Sequence, residues 1–125
     1  MLTRDAILGA DDLPKQEVEI PEWGGSVFVR TMTAGERDAY ESSMLLNGKP
    51  NLANMRAKLV VRTAVDEEGK RLFADADAEA LGKKSASAVD KLFGVAQRLN
   101  GLTKKDVEEL EKNSGRIPPD SSPST

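Results

Sequence analysis

The period of the hydrophobic pattern changes once along this chain, and that change limits the folds open to it. In residues 17–32, EVEIPEWGGSVFVRTM, Val18 and Ile20 alternate with Glu17 and Glu19. After the turn residues, Val27, Val29 and Thr31 alternate with Phe28, Arg30 and Met32. A period of two is that of a half-buried strand. Trp23-Gly24-Gly25 stands between the two runs. Glycine reaches positive φ cheaply, so this dipeptide marks a hairpin turn. Pro21 cannot donate to a ladder and keeps its surroundings out of a central strand. A lone hairpin is marginal in water, so it must pack on helices or on another chain.

Elsewhere the period is helical. Residues 3–9 predict a short helix with Thr3 as N-cap, Asp5 in the first turn and Gly9 at its end, followed by a linker with Pro14. Thr33 and Glu36 form a capping box that opens a helix to about Leu46, where Asn47-Gly48-Lys49-Pro50 stops it. Residues 51–65 predict the next helix, with Leu52, Met55, Leu59 and Thr63 in one stripe, widened by Val60, Val61, Ala64 and Val65. Residues 66–70 read as a tight turn, Leu72-Phe73 as an apolar anchor, and Asp75 to Leu81 as a short helix. Residues 86–99 place Val89, Leu92, Phe93, Ala96 and Leu99 on one face, and Asn100-Gly101 ends that helix. A last helix is expected over 103–112, carrying Val107 and Leu110. The expected core is Leu59, Val60, Leu92, Phe93 and Leu99. The fold class is therefore α+β: an N-terminal β-hairpin, a small bundle of four to five helices over residues 1–113, and a Pro/Ser-rich disordered tail over 114–125.

Side-chain chemistry narrows the function. The chain has no cysteine and no histidine, so disulfides, thiol chemistry, Cys/His zinc sites and histidine acid–base catalysis are excluded. A net charge of −3 leaves no basic footprint for nucleic acid. No apolar run approaches the ~20 residues of a membrane span, and MLTRDAILGADD is too acidic for a signal peptide. A cytoplasmic protein without a membrane or nucleic-acid partner is expected.

The candidate chemical motifs resolve into structure. Asp75, Asp77 and Glu79 suggest a calcium loop, but its sixth and twelfth positions are Ala80 and Ala86 where Gly and Glu are required. Gly24-Gly25 has no helix start behind it to hold a phosphate. The pairs Asp66/Glu67 and Glu108/Glu109 lie in a turn and on a polar helix face, and Ser85 and Ser87 have no base to activate them. Apolar residues at 38% and aromatics at 4% give a thin core, which leaves room for stabilisation by self-association. Trp23 and Phe28 are then either local core under the turn or anchors for a partner. With Val27 and Val29 they are the candidate self-association residues.

Four blocks carry a family resemblance: LTRDAILGADDL, VEIPEWGGSVFVRTMTAGERDAYE, RAKLVVRTAVDEEGKRLF and SASAVDKLFGVAQRLNGLTKKDVEELEKN. Their order and content resemble the tail assembly chaperones of long, non-contractile-tailed bacteriophages and prophages, over about residues 2–113. The most distinctive pieces are PEWGG followed by V-x-V-R, the GER of the next helix, and V-D-E-E-G-K-x-L-F. The resemblance implies a non-enzymatic protein without cofactor. It implies a protein that binds the tape measure protein, helps recruit tail tube subunits, forms homo-oligomers, acts in the host cytoplasm and is absent from the mature virion. It also implies a longer product made by frameshifting, for which Lys112-Asn113 is a candidate slip site. A structural virion protein, such as a tail-completion or head–tail connector subunit, is the alternative. An unrelated bacterial adaptor or regulator is a third reading.

Overall fold

In the computed structural model, which describes residues 1–102, a three-stranded sheet covers one side of a helical layer. The expected helix over 103–112, the boundary at 113 and the tail over 114–125 lie outside the described residues. Helix α1 (Arg4–Leu8) comes first, with the Thr3 hydroxyl accepting from the Ala6 N–H. The hairpin follows as β1 (Lys15–Ile20) and β2 (Gly25–Arg30), antiparallel from Lys15 opposite Arg30 to Ile20 opposite Gly25. The α+β class is as expected.

The turn differs in detail from the glycine pair expected. Pro21–Trp23 form one 3₁₀ turn, and Gly24 alone takes the left-handed conformation, at φ 73°. Gly25 is already paired with Ile20. Proline suits the first position of such a turn because its missing N–H has no partner there in any case.

Cross-strand partners share a face of the sheet. Val18, Ile20, Val27 and Val29 therefore face the helices, and Ile20 and Val29 are fully buried. Lys15, Glu17, Glu19, Ser26, Phe28 and Arg30 take the outer face.

Helix α2 (Ala34–Ser42) begins at the expected capping box. The Thr33 hydroxyl accepts from the Glu36 N–H at 3.1 Å, and the Glu36 carboxylate accepts from the Thr33 N–H at 2.9 Å. It ends four residues earlier than expected. Leu45–Leu46 (β3) and Lys49–Pro50 (β4) instead make a second, minimal hairpin. Asn47 and Gly48 both have positive φ, at 53° and 76°, as a two-residue type I′ turn demands. The Asn-Gly pair thus reverses the chain as a hairpin as well as stopping the helix.

Helix α3 (Met55–Thr63) is shorter at both ends than the expected 51–65. Ala64–Val65 leave it as β5, which pairs with Phe28 and Val29 and completes the sheet order β1-β2-β5. The free side of β2 captured residues whose local pattern was helical. Arg71 then bridges to Val65, and the Leu72 N–H donates to the Ala64 carbonyl at 3.0 Å. Alternation along this extended run turns Phe73 toward the core and leaves Leu72 48% exposed, so only Phe73 acts as the anchor.

A 3₁₀ turn at Asp75–Asp77 leads into α4 (Ala78–Leu81), and α5 (Ala86–Leu99) follows. Helix α5 lies under β1 and β2 and packs on α3. Strand β1 runs along α5 in the opposite sense: Gln16 bonds Arg98 at one end, and Glu22 bonds Ser87 at the other. Leu59, Val60 and Leu92 are fully buried, Phe93 is buried, and Leu99 packs partly buried against them.

Candidate interaction surface

The hairpin sets its four expected contact residues at different depths. Trp23, on the 3₁₀ turn at the Ser87 end of α5, is 38% exposed. Phe28 is half-buried on the outer face, with the Lys15 ammonium 5.4 Å above its ring. Val27 is half-buried against the core, and Val29 is wholly within it. The four are thus graded: Trp23 and Phe28 have surface to offer a partner, and Val27 and Val29 hold the strand to the helices. Among the described residues β1 has no strand on its outer side, which makes it an open sheet edge. Charged Lys15, Glu17 and Glu19 line that edge and discourage indiscriminate pairing.

Other exposed apolar side chains lie off the hairpin. Leu2, Ile7 and Leu8 on the N-terminal arm, Leu45 and Leu46 on the small second hairpin, and Leu72 are all open to solvent. The sequence marked Leu72 only as an inward anchor and did not point to the others. The signal for one pair was present: Asn-Gly flanked by Leu45-Leu46 and Lys49-Pro50 is a hairpin signature that projects the leucines.

Several of the charged groups on the body are held in ion pairs. Glu36 meets Arg30 at 2.9 Å, and Asp75 meets Arg71 at 2.7 Å and Arg62 at 3.6 Å. Burial pushes the Glu36 carboxyl up, but the Thr33 N–H and the Arg30 guanidinium together bring it below the usual range. The Arg71 hydrogen bond draws Asp75 down in the same sense. The Ser87 hydroxyl does so for Glu22 at the hairpin tip. Burial pushes the Tyr40 phenol up to about 12 and lowers the Lys58 ammonium, whose Nζ donates to the Ser43 carbonyl at 2.8 Å. Glu36 and Asp75 are thus ionised and paired with arginine, the state of structural ion pairs rather than of acids poised near neutral pH, and Glu22 is held by a hydroxyl. Among the described residues no three acidic side chains gather as a metal site, and no helix is long and apolar enough to cross a membrane.

What the chain offers is apolar surface on its turns and N-terminal arm, carried by a small packed body. The model of a family described as "Phage tail assembly chaperone" matches residues 4–113. No curated protein matches the chain. A solved structure titled "Structure of bacteriophage HK97 tail assembly chaperone" is similar in fold, with a TM-score of 0.55 at 15% identity. That similarity covers 76% of this chain and 94% of the other.

Proposed function

Because the chain belongs to the phage tail assembly chaperone family, we propose that it binds the tape measure protein during tail morphogenesis and helps recruit tail tube subunits to it. The family match along most of the chain is the observation that carries this reading. The family suggests a non-enzymatic role. The exposed apolar side chains at Trp23, Leu45, Leu46 and Leu72 support it, since a protein that shields long helical segments needs apolar surface of its own. On this reading it acts in the cytoplasm of the bacterial host, leaves before the virion is finished, and self-associates through the open β1 edge with Trp23 and Phe28 as anchors. Lys112-Asn113 is the candidate slip site for a longer product with a second binding function.

Immunodetection of the chain in an infected or induced lysate and in particles purified from it tests the proposal. The chaperone reading expects the chain in the lysate, co-purifying with the tape measure protein, and absent from particles. A fixed number of copies per particle would replace it with a structural virion protein.

A further inference from the structure

Residues 1–12 are exposed throughout, and no residue of α1 is buried. The helix is nevertheless specified, by the Thr3 cap at its start and by Gly9 at its end. Five residues of helix do not hold in water without a surface to lie on, because nucleation is unfavourable below ~12 residues. Leu2, Ile7 and Leu8, at 74%, 54% and 69% exposure, are the side chains such a surface would cover.

A surface of the right kind lies at the far end of the body. The starts of α3 and α5 enclose a groove of about 450 Å³, floored by Leu52, Met55, Ala57 and Val89 and edged by Lys84 and Ala86. Arg56, also on its wall, is paired with Asp90 at 2.8 Å, whereas Lys84 has no carboxylate partner among the described residues. On the arm, Arg4 is paired with Asp5 at 3.0 Å, which leaves Asp11 and Asp12 as its unneutralised side-chain charges. Apolar side chains followed by acids thus face an apolar floor edged by a free cation.

No residue of the arm lines the groove of its own chain, and none of α1 is buried against the body. The arm leaves the body at Leu13-Pro14, beside Leu99 and Asn100, and the groove lies at the Ala86 end of α5. We propose that the arm of one copy seats Ile7 and Leu8 in the α3/α5 groove of a second copy, with Asp11 and Asp12 toward its Lys84. The contact is head-to-tail, so each added copy presents a new arm or groove and the assembly is open-ended.

The chain has no cysteine, so introduced ones report without background. One full-length copy carries Ala10→Cys and a second carries Ala86→Cys; both sites are exposed, so neither change touches the core, and the anchors Ile7 and Leu8 are kept. Mixed under mild oxidation, the two are expected to form a covalent heterodimer at least about tenfold faster than Ala10→Cys with the distant surface control Glu67→Cys, as the raised effective concentration of a docked pair requires. Adding Lys84→Glu to the groove copy should lower the yield, and Asp11→Lys with Asp12→Lys on the arm copy should restore it. A yield no higher than the control overturns the proposal. So does a cross-link that forms only within a single chain carrying both cysteines, which would make the arm an intramolecular strap.

Discussion

Leu92 and Phe93 divide the work of α5 between them. Leu92 is fully buried under the sheet, and Phe93 lies at the core's edge with the Arg56 guanidinium 5.9 Å from its ring. Leu92→Ala or Phe93→Ala is expected to cost ~2–5 kcal/mol, the range for large-to-small changes in a packed core. Chemical denaturation of the two variants measures it, and a loss under ~0.5 kcal/mol would mean a surface site. Glu36 makes a different demand. Its folded-state carboxyl lies below its unfolded value, so the unfolded chain binds the proton more readily. The stability it contributes is complete above the unfolded pKa, ~4.3, and is lost as pH falls through the folded one. Denaturation midpoints across the acid range should therefore fall less steeply for Glu36→Gln than for the parent chain; equal slopes would dissociate Glu36 from the acid response. The capping half of this residue's role was legible in Thr33-x-x-Glu36, because capping is local. Its pairing with the buried Arg30 was not, because that side chain sits on another element, on the outer face of the sheet.

Among the elements, those with strong local signals stand where the pattern put them: the hairpin at 15–30, α2 at its capped start, and α5 over Ala86–Leu99. Boundaries set by distant partners do not. Val65 left its helix for the open side of β2, and Leu45-Leu46 left theirs for a type I′ hairpin. Gly48 is the critical residue of that small hairpin. At φ 76°, Gly48→Ala should cost about 1–2 kcal/mol, the penalty of the left-handed region for a residue with a Cβ. Thermal unfolding checks this, and an unchanged midpoint would show that the hairpin is not coupled to the body. Association through the hairpin is tested by Trp23→Glu and Phe28→Glu. Both should reduce concentration-dependent light scattering while leaving circular dichroism unchanged, and unaltered scattering would remove these two anchors. Their candidacy was legible as aromatic residues in a turn and a strand, but their depths were not, since which face of β2 meets α5 depends on the whole packing.

The whole molecule is a thin α+β body whose apolar arm, turn tips and sheet edge are unpartnered among the described residues. On the proposed function, the large apolar side chains left outside the core are the surface that partner proteins cover. The family was legible because its distinctive residues are contiguous in sequence; the exposed apolar surfaces were not, because exposure is a property of the folded chain. On the proposed function, this protein keeps the tape measure protein in solution while the tail is built. The most direct measurement is the soluble fraction of the tape measure protein expressed with and without this chain, in the same host at the same level. A largely insoluble tape measure protein alone and a soluble complex of the two on co-expression are expected. A tape measure protein equally soluble in both cases, with none of this chain bound to it, would overturn the proposed function.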